Sequence, residues 1–176
     1  MKTALLCLLL AMAPQPQPRG PERFTAAAIG PDGALVVTRA DGQTRRIPKS
    51  TDQTAFQDPA LSPDGTAAGA QAMYANCCTS YDIPLALVVY SNGRIHRFSG
   101  NALPIWKWRF EGEDGVAYSQ TTVHGGCSDH YELRDIGSER LLDSTDVWQD
   151  APNCPPPGGP PRMPGWAKRL MQQEPK

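Results

Sequence analysis

The 176-residue chain carries 17 basic and 18 acidic residues, and this balance excludes the basic surface typical of proteins that bind nucleic acids or anionic membranes. Without its apolar N-terminal segment, about 155–160 residues remain, which is enough for one domain with a real core.

The N-terminal segment has the layout of a secretory signal peptide. Lys2 precedes an apolar run over residues 4–12, which ends in the small-residue triplet Ala11-Met12-Ala13. The run is too short to span a bilayer. Because Pro14 disfavours cleavage directly after the triplet, we expect the cut within residues 15–18. The sequence therefore predicts a signal peptide over 1–18, a secreted or periplasmic protein, and no transmembrane segment after its removal.

Three turns that contain Asp-Gly recur along the chain, and each introduces a predicted β-strand. They are Gly30-Pro31-Asp32-Gly33, Ser62-Pro63-Asp64-Gly65 and Glu113-Asp114-Gly115. In the first two copies the strand leads to a second turn, at Asp41-Gly42 and at Asn92-Gly93. These dipeptides readily adopt the positive φ of a tight hairpin, so each copy is predicted to continue as strand, turn, strand.

The predicted strands group into units of up to four. The first copy supplies three strands, at 24–29, 34–39 and 43–47. The second supplies four, at 58–61, 66–74, 85–90 and 94–98, and the third supplies four, at 105–110, 116–123, 130–135 and 139–143. Four antiparallel strands in roughly 40–45 residues is the size of a propeller blade.

One of the turns carries a family resemblance. The run Asp58-Pro59-Ala60-Leu61-Ser62-Pro63-Asp64-Gly65 resembles the Asp-Pro-x-Trp-Ser-Pro-Asp-Gly turn of Tol-type translocation propellers and related WD-like β-propellers. The resemblance implies a fold built of blades, and it implies no activity, since propellers host many functions. The stretches 76–81 and 122–126 also resemble parts of an uncharacterised group of small secreted bacterial proteins, from which no activity follows.

The number of blades argues against a closed ring. Propellers close with about four to eight blades, and two full blades plus a partial one leave sheet edges open to pairing. An open stack, a two-sheet arrangement and closure by oligomerisation remain as alternatives. We expect an all-β domain over 19–150 of antiparallel, propeller-like repeats that do not form a closed ring.

The C-terminal segment 151–176 changes character. Residues 152–164 are rich in proline and glycine, which predicts an extended linker. Residues 165–173 place Trp166, Leu170 and Met171 on one stripe, so we predict a short amphipathic helix. Such a helix covers an edge or the bottom of the sheets, or it docks on a partner.

Four cysteines remain in the mature chain. Cys77, Cys78 and Cys127 lie in equivalent loops of the second and third copies, and Cys154 lies in the linker. An even number of cysteines in an exported chain indicates disulfides. We therefore expect a bridge from Cys77 or Cys78 to Cys127, with the remaining cysteine joined to Cys154 or free.

Two other interpretations use the same loops. His124, Cys127 and His130, with a thiolate from Cys77 or Cys78, could bind zinc or copper, although this spacing matches no established signature. Alternatively, the adjacent cysteines provide a reactive thiol beside an imidazole.

Aromatic residues provide the other candidate binding surface. Trp106, Trp108 and Phe110 alternate with polar residues, a pattern that predicts a half-buried strand and core packing between sheets. A platform for a glycan or a peptide is the alternative. Tyr81 and the two loop histidines, His124 and His130, are further possible binding residues, and His96 is expected on the sheet surface.

Together these patterns predict an exported binding or protein-interaction module with a protein, peptide or glycan ligand, no cofactor and no catalytic residues. The alternative is a metal-binding or thiol-dependent enzyme that uses the loop cluster of Cys77, Cys78, His124, Cys127 and His130.

Overall fold

The computed structural model describes residues 22–100, 103–149, 154 and 163–173. The predicted signal peptide and most of the predicted linker lie outside these residues. The described chain forms three antiparallel sheets and one short helix.

Sheet 1 is the partial copy predicted from the sequence. Its strands, in spatial order, are β1 (Phe24–Ile29), β2 (Leu35–Arg39) and β3 (Thr44–Ile47). The hairpin turns follow the Asp-Gly prediction, since Gly33 has a φ of 76° and Gly42 a φ of 81°.

Sheet 2 has four strands in sequence order. They are β4 (Gln53–Leu61), β5 (Ala67–Tyr74), β6 (Ile83–Ser91) and β7 (Arg94–Ser99). Strand β4 begins five residues earlier than expected, because residues 53–57 pair with β5 ahead of a register shift between Gln57 and Ala60. Asp58 lies within this shift and has a φ of 48°. Because the shift interrupts the alternation of side chains, the sequence pattern did not predict residues 53–57 as part of the strand.

Sheet 3 also has four strands. They are β8 (Ile105–Glu111), β9 (Gly115–Gln120), β10 (Ser128–Asp135) and β11 (Leu141–Trp148). Strand β9 ends three residues before the expected boundary, because a turn follows in which the Gly125 N–H donates to the Thr122 carbonyl at 3.0 Å. Strand β11 extends past the expected end at 143, because its pairing with β10 continues to Trp148 opposite Ser128.

The turns of the first two copies join sheet 1 to sheet 2 through the backbone. The N–H of Phe24 in β1 donates to the carbonyl of Gly65 at 2.7 Å, and the N–H of Phe56 in β4 donates to the carbonyl of Gly33 at 2.8 Å. At Gly65 a Cβ atom would lie 2.9 Å from the Phe24 carbonyl oxygen. Glycine is therefore required at Gly65 by close approach as well as by its φ of 72°.

Sheet 2 lies between the other two sheets, because its faces contribute to different apolar clusters. One face packs on sheet 1 through Ala68, Ala70 and Ala72. The opposite face packs on sheet 3 through residues such as Leu87 and Val89. Among the described residues the sheets form an open arrangement rather than a closed ring, which confirms the predicted fold class.

Helix α1 (Gly165–Met171) packs on the face of sheet 3 that points away from sheet 2. Trp166 and Leu170 are buried there, as predicted, together with Ala167. Met171 is 42% exposed and does not belong to the buried stripe. The helix therefore covers a sheet face of its own chain. None of the described helices is long and apolar enough to cross a membrane.

Candidate functional site

A cleft of about 520 Å³ lies between sheets 2 and 3, and we call it the edge cleft. It is lined by residues of β4 and β8 and by Gln173, which follows α1. Strands β4 and β8 are the terminal strands of their sheets. The cleft is therefore bordered by two terminal strands, and parts of both edges already bond within the chain, at Phe56 N–H and the Asp58 carbonyl of β4 and at the Ile105 carbonyl of β8.

Trp106 and Trp108 both line the edge cleft, but they differ in environment. Trp108 is 4% exposed, donates its Nε1–H to the Asp58 carbonyl at 3.2 Å, and packs edge-on against Phe110. Trp106 is only half-buried and donates its Nε1–H to the Thr121 carbonyl at 3.3 Å.

The expectation that these tryptophans behave alike as one core face is wrong. A register shift between Ile105 and Lys107 interrupts the alternation, so that Ile105 joins Trp108 and Phe110 in the apolar cluster. Trp106 is left on the rim of the cleft. A bulge of this kind re-aims one side chain, and a strict period-two pattern cannot reveal it.

Charged groups of both signs surround the edge cleft. Asp58 lies on the β4 side, and Lys107 and Arg109 lie on the β8 side. Lys107 donates from Nζ to the carbonyls of Met171 at 3.2 Å and Gln173 at 3.4 Å, which satisfies the end of the helix. The contact holds the helix end against the cleft wall. The Gln173 Oε1 atom is buried and has no hydrogen-bond partner among the described residues.

A buried charged network crosses the inner face of sheet 3, and sequence reasoning missed it. Glu132 accepts hydrogen bonds from the Tyr118 hydroxyl at 2.5 Å, from Gln120 at 3.1 Å and from Arg134 Nε at 2.6 Å. The Glu132 side chain is 4% exposed. The available signal was the polar alternation of His130, Glu132 and Arg134 along β10, which places three ionisable groups on one sheet face.

The network keeps Glu132 ionised. Burial works to raise the pKa of this carboxyl, but the hydrogen bonds from Tyr118 and Arg134 and the charges of Arg134 and His130 outweigh it, so the pKa is lowered. Burial and the bond to Glu132 raise the pKa of the Tyr118 hydroxyl, which stays protonated as a donor.

His130 lines a second cavity, of about 350 Å³, together with Asp146 and Gln120. Its Nδ1 lies 2.7 Å from Asp146 Oδ1, and its Nε2 lies 3.3 Å from Glu132 Oε1. Both ring nitrogens therefore face carboxylates, and the side chain belongs to the charged network. His124 is exposed in the β9–β10 turn, and Tyr81 is 54% exposed in the β5–β6 loop.

The cysteines pair differently from the expectation. Cys127 is bonded to Cys154, while Cys77 and Cys78 are free and exposed. The predicted bridge from Cys77 or Cys78 to Cys127 is therefore wrong. Equivalent loop positions did not indicate the pairing, because Cys154 is bonded at the start of β10, where the Cys127 carbonyl accepts the Gln149 N–H at 2.9 Å.

The disulfide also changes the metal interpretation. It removes the Cys127 thiolate from the set of His124, Cys127 and His130. No group of three or more His, Cys, Asp or Glu side chains is arranged to hold a metal ion within the described ranges.

His96 is buried, so the expectation that it lies on the sheet surface is wrong. It is 6% exposed, and its Nδ1 lies 3.3 Å from Glu139 Oε1 in the β10–β11 turn. The Glu139 carbonyl in turn accepts a bond from Arg134 at 3.1 Å. Strand β7 is thus tied to the charged network of sheet 3.

No family model matches the sequence, and no curated protein is similar to it.

Proposed function

We propose that the protein is an exported binding module built of propeller-like repeats, and that the edge cleft binds an extended peptide segment of a partner protein. The observation that carries this proposal is the position of the cleft between two terminal strands. An extended peptide can add to a free strand edge through main-chain hydrogen bonds, while pockets for alternate side chains give specificity.

The chemistry of the cleft wall suits a peptide. Trp106 on the rim offers an aromatic ring for an apolar side chain of the peptide. Asp58 and Arg109 provide charges of opposite sign on the two sides of the cleft. Such a wall selects by side-chain charge as well as by shape.

Export is supported by the N-terminal sequence pattern and by the Cys127–Cys154 disulfide. Disulfides persist mainly in oxidising compartments, so the bridge agrees with a periplasmic or extracellular location. Detection of the mature chain outside the cytoplasm, with its new N-terminus within residues 15–19, would test this part of the proposal.

The binding proposal is tested with a phage-displayed library of random peptides selected on the mature protein. Selected peptides are measured by titration calorimetry against the wild type, Trp106→Ala and Trp106→Phe. We expect the alanine variant to weaken binding about 30-fold or more, as for an aromatic residue that carries much of the binding energy, and the phenylalanine variant to retain most of the affinity.

Tyr81→Ala is the matched control, because Tyr81 is an exposed aromatic residue outside the cleft. It should leave the peptide affinity unchanged. Peptides with methyl groups on alternate backbone nitrogens should lose binding, since they cannot donate to a strand edge. Binding that depends on Tyr81 but not on Trp106, or binding to a glycan array with no peptide selected, would contradict the proposal.

A further inference from the structure

The β5–β6 loop over residues 75–82 carries two adjacent thiols in direct contact. The sulfur atoms of Cys77 and Cys78 lie 2.9 Å apart, and both residues are exposed. The other two cysteines of the mature chain are bonded to each other. The sulfur nearest to each thiol is therefore that of its neighbour in sequence.

The loop is ordered by its own side chains. Asn76 donates from Nδ2 to the Thr79 hydroxyl at 3.0 Å, and its Oδ1 accepts the Cys78 N–H at 3.4 Å. Thr79 donates from its hydroxyl to the Tyr81 carbonyl at 2.6 Å. The base of the loop is fixed by the pairing of Tyr74 with Ile83. The two thiols are thus held at the tip of a rigid hairpin, where a reagent in solution reaches them.

We propose that Cys77 and Cys78 form a reversible two-electron redox site, which is oxidised to a disulfide between adjacent residues by thiol–disulfide exchange with a small disulfide or a disulfide-bearing oxidoreductase. This site is separate from the edge cleft, which includes neither cysteine. It does not depend on the proposed function.

The two thiols have different roles in the exchange. The hydrogen bond with Cys77 and the charge on its sulfur raise the pKa of Cys78. Attack on the reagent by Cys77 leaves Cys78, whose sulfur lies 2.9 Å away, as the thiol that resolves the intermediate.

The exchange balances in two steps. The Cys77 thiolate attacks one sulfur of the reagent disulfide, the S–S bond of the reagent breaks, and one thiolate leaves. The Cys78 thiol then loses its proton and attacks the Cys77 sulfur, and the second reagent thiolate leaves. Two protein thiols are oxidised, one reagent disulfide is reduced, and the two protons end on the released thiols.

The bond should be easily reversed. The Cα atoms of adjacent residues are about 3.8 Å apart, whereas unstrained disulfides usually join Cα atoms about 4.4–6.8 Å apart. A strained and exposed disulfide is reduced more readily than a structural one.

The test uses the full mature protein after mild reduction that leaves Cys127–Cys154 intact. It is incubated with oxidised glutathione, alkylated without further reduction, and measured by intact mass and peptide mapping. We expect the untreated protein to take two alkyl groups. The treated protein should take none, should be lighter by two hydrogen atoms, and should recover both reactive thiols under the same mild reduction.

Single serine variants test whether the neighbouring thiol resolves the intermediate. Cys78→Ser should stop at a stable glutathione adduct on Cys77. Cys77→Ser also loses the hydrogen bond and charge that raise the pKa of Cys78, and it should stop at a stable adduct on Cys78. The proposal is overturned if the wild type also stops at a glutathione adduct, if both thiols still alkylate fully after treatment, or if recovery needs conditions that also reduce Cys127–Cys154.

Discussion

The two faces of sheet 2 are built from different chemistry. Along β5, Ala68, Ala70 and Ala72 point toward sheet 1, and that interface is an apolar cluster in which small and branched side chains pack with the rings of Phe24, Phe56 and Tyr90. The alternating residues Gly69 and Gln71 point toward sheet 3. Aromatic rings are buried there as well, but that interface also contains a buried carboxylate network and the edge cleft.

The difference lies in buried charge, because the interface with sheet 1 is mainly apolar, whereas the interface with sheet 3 contains buried ionised groups and a cleft. Small residues of β5 let the sheets approach closely at the first interface, which buries apolar area and in which the Tyr90 hydroxyl donates to Glu22 at 3.0 Å. At the second interface, polar groups such as Gln71, whose Nε2 donates to the Ile105 carbonyl at 2.5 Å, must be matched one by one. An interface that requires such matching and still contains a cleft is where we place recognition.

The first way to test this comparison, with the largest expected effect, is Trp108→Ala. Trp108 fills the interface so closely that a Cβ atom on Gly69 would lie 2.8 Å from its Cη2 atom. Loss of the ring should lower the free energy of unfolding by about 3–5 kcal/mol, measured by urea denaturation. Trp106→Ala is the matched control and should cost about 1 kcal/mol, because that ring is half-buried. If both variants lose the same free energy of unfolding, the two rings belong to one core face, as the alternation predicted.

Glu132→Gln tests the charged part of the same interface. The amide keeps the size of the side chain but removes the charge that faces Arg134 and His130. We expect a loss of about 3 kcal/mol in the free energy of unfolding, because one buried charge is left without its partner. Glu139→Gln is the control, since its side chain is 48% exposed, and it should change stability by about 0.5 kcal/mol or less. Similar values for both variants would show that the network contributes no more than a surface ion pair.

Overpacking tests the opposite face of sheet 2. Ala70 is fully buried at the interface with sheet 1, so Ala70→Val should cost about 1–3 kcal/mol in thermal or urea unfolding. Ala26 is an alanine on an exposed position of β1, and Ala26→Val should change stability by about 0.5 kcal/mol or less. If Ala70→Val leaves the free energy of unfolding unchanged, sheets 1 and 2 can move apart to accommodate the larger side chain.

The sequence predicted sheets and turns better than it predicted contacts between sheets. The Asp-Gly and Asn-Gly dipeptides located hairpins because their φ requirement is local, and Asn92 and Gly93 both have positive φ. The apolar stripe of α1 was also readable, since Trp166 and Leu170 are four positions apart.

What the sequence did not predict depends on non-local geometry. The position of Trp106 follows from a register shift, and the partner of Cys127 is Cys154, 27 positions further along the chain. The Glu132 network depends on strand register as well, because Tyr118 is its neighbour only through the pairing of β9 with β10. Each of these features changes if a strand slips by one residue.

The smallest expected effect is that of Tyr118→Phe. Its dependence on pH tests how much the Tyr118 hydroxyl contributes to the network around Glu132. The lowered pKa of Glu132 means that its contribution to stability is present above the ordinary carboxyl pKa of about 4.3 and is lost as the pH falls through the folded value. Tyr118→Phe removes one of the donors that lower this pKa. The variant should be less stable than the wild type by about 1–2 kcal/mol near neutral pH.

The difference in the free energy of unfolding between wild type and Tyr118→Phe should become smaller as the pH falls below the ordinary carboxyl pKa. Protonation of Glu132 then removes its interaction with the hydroxyl from the wild type as well. Asp64 and Asp135 also have lowered pKa values, from bonds to Ser62 and Ser138, but these bonds are kept in both proteins and cancel in the difference. Urea denaturation of both proteins at several pH values measures this difference directly. If the difference in the free energy of unfolding stays constant with pH, the hydroxyl contributes through packing alone. The interface of sheet 2 with sheet 3 would then depend little on charge.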